Sequence, residues 1–512
     1  MGAPTELRSL AQALKQRLWP ARAPVQRFAV TRDDFHHLQR RLADSLRGMG
    51  QDAAASALPA YEPAPLAQAE TRLLRWLADL RRRTAGLPIA IEEPEPELLE
   101  LLAAVARATD PHNEGELLRL LGALTGGVFR GPNTFHLDVA NACNVNCKYC
   151  WFHSPLSKNR KDAALFDTAW RSEMVSWDVF CGLVDDLQSL GSREDILLSG
   201  KGEPLLHPRC LDMVAYIKAR AMGVTLFSNG LLVREAAREA LVEHGADLLY
   251  VSLSSASGTV YEDIHPGHEG SELDEVRDNI AALTSLKEQR GSAVPRVMMV
   301  DVLCNLNAHE ALAFYEQARD LGAEHVRFQL LHVQDYNREL MLRPEQIGPL
   351  REAIAEAHSR AAAGGPTIVD NIDYQLRTLD EATGKWGHAR TPDEGCYVGW
   401  TFSRSWTNGD ISFCCSPKVV DNLEQRRFKD IWTGADYEAF RGAARDLQNQ
   451  GAMTFRNGAP LLGDHCEGCP NYEGVGKLSA DLRRYGLSQF VRGRDGERLR
   501  AVPSAQQPSL LP

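Results

Sequence analysis

Cys143, Cys147 and Cys150 stand in the run Cys143-Asn-Val-Asn-Cys147-Lys-Tyr-Cys150. Three thiolates at this spacing can wrap three irons of a cubane cluster and leave the fourth iron without a protein ligand. An iron left open in this way is a place for substrate or cofactor chemistry, whereas a fully ligated cluster stores or passes electrons. Zinc sites usually pair two C-x2-C units, or Cys with His, so a lone C-x3-C-x2-C trio suits zinc poorly.

The trio follows an extended apolar-alternating run at 135–140, which predicts a strand with the cysteines on the loop leaving its C-terminal end. Further β-rich apolar runs lie at 196–199, 224–228, 248–254, 296–303 and 325–331, with amphipathic helices between them. One such helix should be capped by Ser176, bury Phe180, Leu183, Val184, Leu187 and Leu190, and end at Gly191. Alternation of this kind predicts an α/β fold, a parallel sheet curled into a partial (β/α)6 TIM-like barrel over 131–337. Ser252, Ser254, Asp301, Arg327 and Gln329 recur at period two, and if they point inward the lumen is polar.

Outside the barrel, residues 1–130 read as a helical domain. Leu73, Leu74, Leu77 and Leu80 share one face, with Arg72, Arg75 and Arg81 to Arg83 forming a solvated surround. Nothing in this stretch assigns it a function. A helical connector is expected over 338–390, a small cysteine-rich extension over 391–480, and a C-terminal helix with a disordered tail over 481–512. The 512 residues carry a net charge of −11, which argues against a nucleic-acid surface as the main role. There is no apolar run of about 20 residues to span a bilayer. The first residues also lack the layout of a signal peptide. Eleven clustered cysteines then point to metal ligation in a reducing cytoplasm.

Two more constellations could carry chemistry. Ser199-Gly200-Lys201-Gly202-Glu203-Pro204 follows the second strand, where glycines let a ligand approach backbone and Glu203 can accept from an ammonium. Cys396, Cys414, Cys466 and Cys469 could complete a fully ligated iron–sulfur site, and tetrahedral zinc would use the same four thiolates. Cys396 and Cys414 are expected on adjacent strands of a hairpin turned at Thr407-Asn408-Gly409. Chain direction should turn Cys415 away from its neighbour's cluster, as a structural residue or an alternate ligand. Cys181 and Cys210 read as core residues, and Cys304, ending the fifth strand, as a packed thiol or a hydrogen-atom donor at the barrel mouth.

The Cys143/Cys147/Cys150 trio and the Gly-Glu-Pro loop together resemble the radical S-adenosylmethionine enzymes over roughly 135–472. The resemblance implies that the open iron chelates S-adenosylmethionine and that reductive cleavage yields a 5′-deoxyadenosyl radical, which abstracts hydrogen from substrate. It places Tyr149 beside the adenine, and Gly200, Lys201, Gly202, Glu203 and Pro204 around the cofactor's amino group. Lys201 would either pair with the cofactor carboxylate or face solvent. Ser228 and Asn229 resemble the ribose loop, and Ser252 and Ser254 are either ribose contacts or satisfied barrel serines. The spacing Cys396, Gly409, Cys414 resembles the SPASM/twitch extension, whose cysteines hold auxiliary [4Fe-4S] clusters. With no cysteine beyond Cys469, one auxiliary cluster in the shorter twitch-like form is implied.

The expected activity is radical modification of a ribosomal peptide or other natural product, as an oxidation or a crosslink. The alternatives are a small-molecule substrate such as an aminocyclitol or sugar, a peptide epimerase, and a non-catalytic iron–sulfur scaffold. The expected partners are that substrate and an electron donor such as flavodoxin or ferredoxin, with no nucleic acid and no membrane.

Overall fold

The structure, a computed structural model, describes residues 130–159, 166–387, 395–445 and 453–463, with scattered single positions that include Cys466 and Cys469. Nearly all of these fall in one compact unit, Arg130–Val475. The expected N-terminal helical domain lies almost wholly outside the described residues, as do the C-terminal helix and tail.

Six strands run in chain order and pair in parallel: β1 (Thr134–Asp138), β2 (Asp195–Ser199), β3 (Val224–Ser228), β4 (Leu248–Ser252), β5 (Arg296–Leu303) and β6 (His325–Leu330). Between them come α1 (Trp177–Ser189), α2 (Cys210–Lys218), α3 (Glu235–His244), α4 (Gly258–Ile264), α5 (Ser271–Arg290) and α6 (Ala311–Asp320). This is the expected partial barrel. The Ser176 hydroxyl accepts from the Val179 N–H to start α1, whose buried face holds Phe180, Leu183, Val184 and Leu187. In β6 the side chains of Val326, Phe328 and Leu330 are buried while His325, Arg327 and Gln329 are half-buried. Phe328 meets Phe314 of α6 edge-on at 6.2 Å, so the buried set faces the helices and the half-buried set faces the lumen.

Strand register corrects one expectation. Ser252, Val300 and Arg327 are lateral neighbours, so they share the lumen face, whereas Asp301 is paired with Phe328 on the helix side. Asp301 is buried there and accepts from the Asn307 amide at 2.8 Å. The lumen between Ser252 and Arg327 is therefore lined by Val300, and it is less polar than the sequence suggests.

After β6, helix α7 (Pro344–Ala362) fills the expected connector, but a two-residue strand within it, β7 (Thr367–Ile368), pairs with β6 and extends the sheet. The extension also differs from a simple hairpin. Residues Val398–Thr401 form a helical turn, so Cys396 is not on a strand. Only β8 (Phe402–Ser405) and β9 (Asp410–Ser412) pair antiparallel across the turn, where Gly409 takes φ +82°. β10 (Val419–Asn422) pairs with β9. On its other side β8 pairs in parallel with β1, so the extension continues the barrel sheet in one ten-stranded order.

Helix α8 (Phe428–Trp432) secures that junction, and α9 (Ala435–Arg445) follows it. Phe428 is fully buried and meets Phe135 of β1 edge-on at 5.0 Å. The Trp432 indole donates to the Arg130 carbonyl at 3.0 Å. Among the described residues no helix is long and apolar enough to cross a membrane. Replacing Phe428 by Ala empties a site between barrel and extension. Urea titration should then show a loss of about 3–5 kcal/mol with an unchanged slope.

Candidate active site

The cysteine loop leaves β1 and is fixed by backbone. The Lys148 N–H donates to the Ile264 carbonyl at 2.8 Å, and the Asn146 amide donates to the Pro266 carbonyl at 2.8 Å. The Cys150 sulfur accepts from the N–H groups of Phe152 and His153 at 3.4 and 3.3 Å. Cys143, Cys147 and Cys150 are half-buried and are electrostatic neighbours of one another. Burial pushes the Cys143 thiol up to about 12 and Cys147 well above its ordinary range. Protons must therefore leave when irons bind.

The Gly-Glu-Pro loop is pressed against this one. The Gly202 N–H donates to the Ala140 carbonyl and the Glu203 N–H to the Ala142 carbonyl, at 3.1 and 2.7 Å. A Cβ on Gly202 would fall 1.9 Å from the Ala142 oxygen, so only glycine fits. Glu203 is buried, and its two carboxylate oxygens accept from the N–H groups of Leu205 (3.1 Å) and Asn229 (2.8 Å). The Asn229 amide donates in turn to the Asn144 side chain at 2.7 Å. Three loops, after β1, β2 and β3, are thus tied through one carboxylate. Burial raises Glu203 to about 7, against the hydrogen bonds that favour its charge. Ser228 belongs to the same knot: its hydroxyl accepts from the Gly230 N–H at 3.0 Å. Pro204 opens a short 3-10 turn that Glu203 caps.

Other sequence candidates fall differently. The Tyr149 hydroxyl donates to Ser254 at 2.9 Å, and the Val302 N–H donates to the same oxygen at 2.9 Å. Ser254 is fully buried at φ +56°, so it is the satisfied barrel serine and not a ribose contact. Ser252 stays half-buried on the lumen face. Cys304 is fully buried beside Leu331 and Leu340, with Tyr149 packed against the cluster, and burial raises its thiol to about 11. It is a packed core residue rather than a group exposed at the mouth. Cys210 is core as expected, while Cys181 is half-buried.

Lys201 is half-buried against aromatic rings. Its ammonium lies 3.9 Å from the Trp406 ring centroid, with Phe152 at 5.7 Å and Trp170 at 5.8 Å. Burial lowers it to about 8, and Asp138 pulls it back up. Asp138, fully buried at the end of β1, forms a forked pair with Arg404 of β8, whose nitrogens donate at 2.7–3.0 Å. Burial raises the Asp138 carboxyl, and Arg404 and Lys201 oppose that shift. Arg404 also stacks 4.0 Å over Trp406 and donates to the Cys415 carbonyl at 3.4 Å. His153 is held neutral: its Nε2 donates to the Asn141 carbonyl and its Nδ1 accepts from Arg171, both at 2.9 Å. Sequence reasoning missed Asp138, Arg404, Trp406 and His153. A charge inside each of two alternating strands was the available signal for the first two.

In the extension, Cys396, Cys414 and Cys466 are electrostatic neighbours, and Lys418 faces them. Cys415 does not turn away as expected: its thiol contacts that of Cys414 and lies near Cys469. Among the described residues no three such side chains close on a single metal ion. A set of thiols linked by charge from Cys396 through Cys414 to Cys466, and from Cys415 to Cys469, suits the all-thiolate donor set of an iron–sulfur cluster.

Residues 137–318 match the Radical SAM superfamily, and residues 396–470 match an iron–sulfur cluster-binding domain, SPASM. The chain is 24% identical over 330 residues to a tungsten-containing aldehyde ferredoxin oxidoreductase cofactor-modifying protein of Pyrococcus furiosus, covering 60% of this chain and 82% of that one. It is 25% identical over 324 residues to a PqqA peptide cyclase of Gluconobacter oxydans, covering 61% and 79%. It is also 25% identical over 322 residues to a GTP 3′,8-cyclase of Limosilactobacillus fermentum, covering 61% and 86%.

Two cysteine sets should hold about eight irons per anaerobically reconstituted chain, four per cluster. The triple variant C143A/C147A/C150A should keep half the iron and release no 5′-deoxyadenosine from S-adenosylmethionine; cleavage by that variant would misplace the reactive cluster. Glu203→Gln keeps the side chain's shape but removes the negative charge that the cofactor's amino group would donate to. Losing that charge-assisted bond is worth about 1.5–3 kcal/mol, roughly ten- to a hundredfold in cofactor affinity. In the parent, calorimetric titration should show tighter binding at pH 8 than at pH 6. Burial raises the Glu203 carboxyl to about 7, so it is largely neutral at pH 6 and largely charged at pH 8, and the charged form is the stronger acceptor for the cofactor's amino group.

Proposed function

We propose that this chain, which belongs to the radical S-adenosylmethionine superfamily and carries a SPASM-type iron–sulfur extension, oxidises a peptide by crosslinking or dehydrogenating it. When bound, the open cluster and S-adenosylmethionine supply a hydrogen-abstracting radical and the auxiliary cluster supplies a one-electron acceptor. The chain's own residues hold and orient. Cys143, Cys147 and Cys150 would carry the first cluster, and Cys396, Cys414, Cys466 and Cys469 the second. Glu203, held by Leu205 and Asn229, offers its remaining lone pairs to the cofactor's amino group. Tyr149, locked by Ser254, would flank the adenine.

The observation that carries an oxidative reading is Arg404. It reaches from Asp138, at the root of the first cysteine loop, to the carbonyl of Cys415, the neighbour of Cys414 in the second set. This link supports a substrate held between the two cysteine sets, whose radical would lose its electron toward the second. The likeness to a PqqA peptide cyclase supports a peptide as substrate. The likeness to a GTP 3′,8-cyclase supports a second reading, a nucleotide-sized substrate in the same lumen. A flavodoxin or ferredoxin in the cytoplasm would be the electron donor.

The test pairs the reconstituted enzyme with short peptides encoded beside its gene and reads product mass and 5′-deoxyadenosine. Oxidation should give one 5′-deoxyadenosine per product and a product lighter by hydrogens. An unchanged mass with deuterium gained from solvent, abolished by Cys304→Ala, would replace oxidation with epimerisation. Turnover of a nucleotide but of no peptide would favour the second reading.

A further inference from the structure

One cation in the extension has no counterpart in the chemistry already described. Lys418 sits in the tight loop between β9 and β10, and its backbone is fixed at both ends. Its N–H donates to the Ser416 carbonyl and the Ser412 hydroxyl at 2.7 and 3.0 Å, and its carbonyl accepts from the Phe413 N–H at 2.9 Å. The residue is 7% exposed. Its ammonium donates to the Leu461 carbonyl and lies 3.3 Å from the Cys466 sulfur. Cys396 and Cys414 also act on it through charge. Among the described residues, the groups that face this buried positive charge are thiols of the auxiliary set and a backbone oxygen.

A lysine buried this deeply is uncommon unless it is paired. Here the pairing partner is the ligand set itself. Four thiolates around an iron–sulfur core form an anionic assembly, and reduction adds one more electron to it. A fixed cation at hydrogen-bond distance attracts the reduced assembly more than the oxidised one, and poor solvation keeps the attraction strong. An N–H···S contact acts in the same direction, because it draws electron density from the ligand sulfur.

We propose that Lys418 is a positioning residue that raises the reduction potential of the auxiliary cluster, making the extension a better electron acceptor than its four cysteines alone would be. The inference rests on the auxiliary cluster and not on the identity of the substrate. It gives one direction to electron flow: out of the lumen and into the extension. The step itself is a single electron entering the cluster, with no proton or group transferred to Lys418.

The test is a potentiometric titration of the reconstituted holoenzyme without substrate, followed by electron paramagnetic resonance. Added S-adenosylmethionine marks the first cluster by altering its signal. In Lys418→Met the auxiliary cluster should be at least tenfold less reduced than the parent's at a fixed potential, about 59 mV for one electron. Lys418→Arg should restore most of the parent value, and the first cluster should titrate unchanged in both. A Lys418→Met protein with full iron and the parent's auxiliary potential overturns the proposal. Should that variant fail to hold the cluster, Lys418→Gln, which keeps a donor to Cys466 without the charge, carries the same criterion. Loss of the cluster from both neutral variants, with Lys418→Arg holding it, would make the residue a structural clamp and would also overturn it.

Discussion

The forked pair between Asp138 and Arg404 is the constraint on which the arrangement of this molecule turns. Asp138 is the last residue of β1 and Arg404 lies in β8, 266 positions later, yet register sets them on one face of one sheet. A buried ion pair is a poor source of net stability, since desolvation offsets much of the attraction. Its strength is selective. Removing one partner strands the other charge, at about 3–5 kcal/mol, so slippage of β8 along β1 is penalised far more than the pair itself is rewarded. Apolar packing of Phe428 on Phe135 provides the adhesion, and the ion pair provides the register.

That division of labour recurs at the first cysteine loop. Its shape is set by backbone hydrogen bonds to the Gly-Glu-Pro loop, and Glu203 supplies the carboxylate in the knot with Asn229 and Asn144. Gly202 is required because the two backbones touch. A ligand-holding loop built this way needs little reorganisation when its cluster and cofactor arrive, which is what precise radical placement demands.

Much of this was legible in the sequence because it is local. Spacing alone gives the cysteine trio, period two gives the six strands, and Ser176 with its apolar stripe gives α1. What could not be read was long-range or a matter of parity. The pairing of β8 with β1 joins segments separated by most of the barrel, and no local pattern encodes it. Polar residues recur at period two from strand to strand, which suggests a lumen position for Asp301 only if all of them point inward. Parity, however, is fixed by inter-strand register, which sets Val300 and not Asp301 beside Arg327. Ser254 lies beyond β4 with φ +56°, so the alternation that served for Ser252 no longer applied to it. Cys415 was expected to diverge from Cys414 as strand neighbours do, but β9 ends at Ser412 and the chain there is a turn.

The same turn shows why the second cysteine set differs from the first in character. Around Cys150 the donors to sulfur are backbone N–H groups, fixed dipoles that carry no net charge. Around Cys466 the donor is an ammonium, buried and held at its backbone by Ser412 and Ser416. Lys201 and Arg404 both lie over the Trp406 ring, but Asp138 already balances Arg404 in its forked pair. The difference between the two cysteine sets therefore rests on their own donors, neutral dipoles at Cys150 and a full charge at Cys466. Both kinds of donor are fixed before any substrate enters, so neither set must reorganise its surroundings when an electron arrives.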